Sequence, residues 1–114
     1  LMASTRKREL ADWHAAAHEK DLADGQSIAI KLAGHSLVLV RSGDTVYAIA
    51  DRCSHADQEL AGGIVRNGWI ACPAHGARFN LESGEPLSRP ATQPIATFPV
   101  RLQDGVVEVS LPAN

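Results

Sequence analysis

Two cysteines and two histidines constrain this chain more than any other feature. Cys53-Ser54-His55 is followed by sixteen residues and then by Cys72-Pro73-Ala74-His75. The chain has two cysteines, and this pattern uses both. Each of two short loops therefore carries one thiolate and one imidazole donor, and a fold that uses them must bring the loops together. The combination suits both zinc and iron–sulfur centres. Familiar zinc pairs read C-x₂₋₄-C and H-x₃₋₅-H, like with like. Here each loop is mixed and the first spacing, C-x-H, is tight. That spacing departs from the usual zinc pairs, and the donor set alone leaves an iron–sulfur centre and a zinc-stabilised interaction module both open.

Around the two loops the chain reads as short strands between turns. Ser27–Leu32 and Ser36–Arg41 alternate with period two, with Ala33-Gly34-His35 turning between them. Ser42-Gly43-Asp44 turns into Thr45–Ala50, and Trp69-Ile70-Ala71 leads straight into Cys72. Phe98–Leu102 and Val106–Ser110 predict a terminal hairpin around Gln103-Asp104-Gly105. Many short strands with glycine-containing turns predict an all-β domain. Residues 12–19 disagree locally, because their alanines favour helix by propensity.

The resemblance to a known family extends well past the four ligand-type residues. Cys53-Ser54-His55 with Cys72-Pro73-Ala74-His75 resembles the Rieske [2Fe–2S] signature, in which the two thiolates bind one iron and the two imidazoles the other. Cys72 to Leu81 looks like the family's second loop, and Ser83-Gly84 fits the hairpin turn after it. Arg89-Pro90-Ala91 sits where the family has a proline loop over the cluster. Gly43 to Ile49 matches the hairpin leading into the first loop, and matching features run from about residue 25 to residue 109.

The resemblance implies a Rieske fold over a single domain, residues 1–114. An antiparallel β-sandwich-like base, about 10–50 and 92–111, would carry an inserted cluster-binding subdomain, about 51–91. Residues 12–19 would then be an edge strand, followed by a short helical turn around Lys20 to Ala23. It also implies Cys53, His55, Cys72 and His75 as ligands of a [2Fe–2S] cluster. The charge arithmetic gives this set a purpose: two ferric ions, two sulfides and two thiolates sum to zero, whereas four thiolates leave −2. Adding an electron to a neutral centre costs less, so the potential rises from roughly −400 mV into a window of about −150 to +300 mV.

Departures from the pattern select a subclass. Rieske subunits of quinol-oxidising complexes carry a further cysteine in each loop, joined as a disulfide, and this chain has none to spare. Those proteins also place serine and tyrosine hydroxyls against sulfur after the second histidine. The matching positions here are Ala77 and Phe79, which donate nothing. Without those donors the potential should lie near the lower end of the window. Low-potential members of this kind resemble the ferredoxin components of bacterial aromatic ring-hydroxylating dioxygenases. That likeness implies an electron carrier, not an enzyme, working between a flavin-dependent ferredoxin reductase and a terminal oxygenase. The small Rieske subunit of a nitrite or arsenite oxidoreductase is the alternative within the family.

Composition excludes other classes. The 114 residues carry a formal charge of −2, with no basic excess to hold nucleic acid. No apolar run reaches the roughly 18 residues of a membrane span. No secretory core is visible, and no disulfide pair remains beside the ligands, so a cytoplasmic location is expected; a diffusing carrier favours a monomer. His14, His18 and His35 match no ligand position and read as surface or turn residues. Trp69 reads as core packing beneath the cluster, and Leu60 as its apolar shield. Gly62, Gly63 and Gly76 read as turn glycines or as points where amides approach the sulfides. Asp57 and Glu59 read as solvated loop. Ala56, Pro73, Ala74 and Ala91 would make a small, weakly apolar docking face.

Overall fold

A computed structural model describes residues 12–53, 59–74, 76–89 and 93–111. The described residues form ten antiparallel strands in three sheets, and the middle strands of the central sheet are apolar on both faces. That sheet contains β2 (Ser27–Leu32), β3 (His35–Ser42), β4 (Thr45–Ala50) and β8 (Thr97–Phe98), in the order β2-β3-β4-β8. Four successive residues of β3, Leu37 to Val40, are buried. Alternation along this strand therefore separates one core from another, not core from solvent. Leu37 and Leu39, with Val46 and Ala48 of β4, join a core completed by Val107, Val109 and Leu111. Val38, Val40 and Ile49 face the opposite way and join Leu60, Ile70, Phe79 and both cysteines.

The first of these cores is closed by a sheet of β1 (Asp12–His18), β10 (Val106–Leu111) and β9 (Val100–Gln103), ordered β1-β10-β9. The alanine-rich segment is thus a strand. Pairing with β10 satisfies its backbone groups, and a register irregularity between Ala15 and Ala17 lets Ala16 and Ala17 both pack on the core. Tertiary pairing outweighs a helix propensity worth only tenths of a kcal/mol per residue, about 0.7 at most. A single 3₁₀ turn follows at Glu19–Asp21, one residue earlier than expected.

Three details differ from the sequence reading. His35 belongs to β3 and pairs with Leu32, so the turn is Ala33-Gly34 alone. Both turn residues have positive φ (48° and 85°), as a two-residue type I′ hairpin requires. The terminal hairpin likewise turns on Asp104-Gly105, with Gln103 paired to Val106. Finally, Phe98 does not run on into that hairpin. Phe98 pairs with Ala48 in the central sheet, Pro99 interrupts, and Val100 pairs with Val109 in the other sheet. Proline has no N–H to continue a ladder, so the chain changes sheets there. The Pro99 carbonyl still accepts the Ser110 N–H at 2.9 Å.

The third sheet positions the site. It consists of β5 (Val65–Arg66), β6 (Trp69–Ala71) and β7 (Arg78–Asn80). Asn67-Gly68 forms the tight turn between β5 and β6, and the Gly68 N–H donates to Ser42 Oγ at 2.9 Å. That bond ties the small sheet to the end of β3. Among the described residues no helix is long and apolar enough to cross a membrane.

Candidate metal centre

The two cysteines enter the site from different sheets. β4 ends at Ala50, and the chain leaves the central sheet through Asp51 and Arg52 to reach Cys53. β6 ends at Ala71, immediately before Cys72. Both cysteines are about 1% exposed, neither is in a disulfide, and both belong to one buried apolar cluster with Leu60, Ala77 and Phe79. Both cysteine-bearing segments thus lead into the same apolar cluster. His55 and His75 lie outside the described residues, as do Ala56, Asp57, Pro90 and Ala91.

The second loop is a six-residue turn closed by its own backbone. The Cys72 N–H donates to the Ala77 carbonyl at 2.7 Å, and the Gly76 N–H donates to the Cys72 carbonyl at 2.8 Å. Gly76 takes φ +74°, a conformation that disfavours side chains. Pro73 and Ala74 are left exposed at the tip while Cys72 and Ala77 are buried beneath. The turn thus hides a sulfur and presents a small apolar tip.

The first loop is closed by a residue the motif does not include. Asp51 Oδ1 accepts the N–H groups of Leu60 (2.8 Å) and Ala61 (3.1 Å). Its own N–H donates to the Ser36 carbonyl at 3.1 Å, extending the β3–β4 pairing. The returning chain then turns at residues 60–63. The Gly63 N–H donates to the Leu60 carbonyl at 3.1 Å, and Gly62 takes φ +88° at the third position, as a type II turn demands. Ser27 Oγ accepts the Gly62 N–H at 3.3 Å. These partners lie nine and ten residues on, beyond the local reach of an Asx turn, so no sequence signal marks Asp51 for this role.

These bonds decide the role of the glycines. The amides of Gly62, Gly63 and Gly76 are engaged by Ser27, Leu60 and Cys72, so none of them is left to approach a sulfide. Gly63 serves close packing instead: a Cβ there would lie 2.0 Å from the Ala71 carbonyl oxygen. Because the Ala71 N–H donates to Ile64 O at 2.9 Å, the exit of the first loop lies directly against the entrance of the second.

Leu60 is fully buried in the cysteine cluster, as a shielding residue should be. Trp69 is not core. It is half-buried, with the Arg78 guanidinium 5.1 Å above its ring, and its neighbour Ile70 takes the buried face. Side chains alternate along a strand, so a one-residue difference puts the tryptophan on the outer face. His14 and His18 lie on β1 and His35 opens β3 in a T-shaped ring contact with Phe98, so none belongs to a ligand loop. Glu59 is exposed.

The donor chemistry fits an iron–sulfur cluster: two undisulfided thiols, dry surroundings, and two mixed Cys/His loops of which both cysteines converge. Residues 12–99 match the model of the Rieske [2Fe–2S] domain, and the chain belongs to that family. Its cofactor is a Rieske-type [2Fe–2S] cluster. Among its relatives is the anthranilate 1,2-dioxygenase ferredoxin subunit of Burkholderia cepacia, 34% identical over 90% of this chain and 94% of the relative. The ferredoxin of carbazole 1,9a-dioxygenase from Nocardioides aromaticivorans IC177 superposes with a TM-score of 0.83 at 31% identity, covering 87% of this chain and 97% of that one. A complex of reduced oxygenase and oxidised ferredoxin in carbazole 1,9a-dioxygenase contains a chain matching at TM-score 0.82 and 33% identity, over 88% and 94% of the two chains.

Proposed function

We propose that this chain carries single electrons from a flavin-dependent ferredoxin reductase to the terminal oxygenase of an aromatic ring-hydroxylating dioxygenase. It is the electron-transfer component of such a system, not its enzyme. The relatives bearing those names span nearly their whole length with this chain, and one matching ferredoxin structure is bound to its oxygenase. The observation that carries the reading is the pair of buried cysteines meeting in one apolar cluster beneath the exposed Pro73-Ala74 tip.

Cys53, His55, Cys72 and His75 are the assigned ligands. The bound cluster supplies a one-electron couple, and the protein supplies its dry, rigid surroundings. Rigid loops reduce the rearrangement that accompanies each electron. Residues 51–91 form the cluster-binding part of a single domain spanning 1–114, with the remainder as its base. Pro73 and Ala74, together with Ala56 and Ala91, make the docking face. A small contact suits a carrier that must release each partner quickly. With a charge of −2 and no basic excess, the carrier works as a cytoplasmic monomer without nucleic acid or membrane partners.

A reductive titration of the purified protein tests this reading. A coloured one-electron centre near the lower end of the roughly −150 to +300 mV Rieske window is expected, and it should be reoxidised by a dioxygenase terminal component. A colourless protein carrying zinc would overturn it.

A further inference from the structure

The four-residue motif does not explain how the first loop is held shut, and the residue that closes it carries a full charge. Asp51 reaches across from the end of β4 and takes two successive amides, Leu60 at 2.8 Å and Ala61 at 3.1 Å, on a single carboxylate oxygen. Leu60 is fully buried in the same cluster as Cys53 and Cys72. Asp51 is half-buried and precedes Cys53 by two residues. The turn it holds, residues 60–63, abuts Ala71, which precedes Cys72. One carboxylate is therefore bonded to the loop exit that packs against both cysteine-bearing segments.

We infer that Asp51 is a positioning residue for the cluster, and that its fixed negative charge holds the reduction potential down. This rests on the proposed cluster ligation by both loops. The mechanical part follows from the bonds. Charge-assisted hydrogen bonds to backbone amides are roughly twice as strong as neutral ones, so the carboxylate is a better clasp than an amide or hydroxyl. The electrostatic part follows from sign and place. An anion beside a centre that gains an electron disfavours the reduced form, and partial burial limits solvent screening. Ser27 supplies the neighbouring anchor at Gly62 through a neutral hydroxyl at 3.3 Å, and so provides an uncharged comparison on the same turn.

Three variants of the cluster-loaded protein separate these effects. Asp51→Asn keeps the shape and an acceptor oxygen but removes the charge. It should retain its cluster and shift the reduced-to-oxidised ratio at fixed potential upward by about three- to tenfold. Tenfold corresponds to about 59 mV for a one-electron couple. Asp51→Ala loses both bonds and should release iron to a chelator about tenfold faster than the parent protein. Ser27→Ala should leave the midpoint potential unchanged. An Asp51→Asn potential equal to or below that of the parent overturns the electrostatic assignment, and an Asp51→Ala protein that keeps its iron as long as the parent overturns the clasp. Should the alanine variant fail to accumulate, the asparagine variant still decides the potential. A parent protein without any cluster would instead sink the proposed function, and is distinguishable because no variant is needed to see it.

Discussion

Replacing Gly63 by alanine should destabilise the protein and empty its metal site, although nothing about its backbone conformation forbids a side chain. Gly63 is absent from the positive-φ glycines, whereas its neighbour Gly62 sits at +88°. On backbone grounds alone Gly63→Ala should stabilise by about 0.4–1 kcal/mol, because alanine narrows the unfolded ensemble. Packing reverses the sign. The new Cβ would lie 2.0 Å from the Ala71 carbonyl oxygen and 3.1 Å from that of Leu60. Both obstacles are backbone, so neither can rotate away. Relief needs a shift of roughly 1 Å or more between the two segments, which strains the Ala71 N–H bond to Ile64 (2.9 Å) and the Ala71–Arg78 pairing. One lost hydrogen bond costs about 1 kcal/mol and forced overpacking about 1–3, for a total near 3 kcal/mol. In a chain of this size each kcal/mol moves the melting temperature by about 4 °C, so a drop of about 12 °C is expected. Because Ala71 adjoins Cys72, iron content and visible absorbance should fall as well. Gly62→Ala is the internal control. Its Cβ meets nothing within 4 Å, so only the left-handed conformation is penalised, by roughly 1–2 kcal/mol. Thermal scans followed by visible circular dichroism, with iron analysis on the same samples, compare the two. A Gly63→Ala protein as stable and as iron-rich as the parent would refute the close-approach argument.

Other expectations follow from the same geometry. Ala77→Ser and Phe79→Tyr place hydroxyls in the buried cluster that holds both cysteines, and potentiometry should show an upward shift wherever the hydroxyl reaches sulfur. No rise in either variant would count against the assignment of a low potential to the missing donors. Ala33→Asn should stabilise by about 0.5–1 kcal/mol in chemical denaturation, because alanine holds φ +48° in a type I′ turn that favours Asn-Gly. Ala74→Trp, at the exposed tip of the second loop, should slow electron delivery to the oxygenase in stopped-flow mixing while leaving the visible spectrum unchanged. Unaltered delivery would remove this tip from the docking face.

How much of this was legible in the sequence depends on what each residue had to encode. The ligand-loop cysteines could be read directly, because a metal centre leaves a spacing that owes nothing to the surrounding fold. Strands β2 to β4 were also legible, since β-branched and leucine residues run in short blocks between Gly-containing turns. Their burial was not. Leu37 to Val40 is an unbroken apolar run, which does not by itself say which core each side chain joins; the structure sends Leu37 and Leu39 to one core and Val38 and Val40 to the other. The Asn67-Gly68 hairpin signal was present and strong, yet the strands it joins are only two and three residues long, too short to show a period. Pro99 signals a break in a ladder without saying that the chain resumes in a different sheet. Asp51 and Gly63 were hidden for a further reason: their partners, Leu60 and Ala71, are fixed only once the loops have closed.

The two-core arrangement gives the central sheet a mechanical part in the chemistry. β3 and β4 present Leu37, Leu39, Val46 and Ala48 to the base and Val38, Val40 and Ile49 to the cysteine cluster. The metal site is therefore built on the back of a sheet whose other face is already anchored. From that sheet, Ser42 holds the Asn67-Gly68 turn, Ser27 and Asp51 hold the turn at residues 60–63, and Gly63 lies against the segment entering Cys72. Motion of the segments that carry the cysteines would strain hydrogen bonds to the central sheet, whose middle strand β3 is buried on both sides. A carrier gains from that rigidity at every transfer, since a site that does not rearrange imposes little barrier in either direction. The same logic places tolerance to change at the exposed Pro73-Ala74 tip, where a substitution alters what the protein meets without altering what it holds.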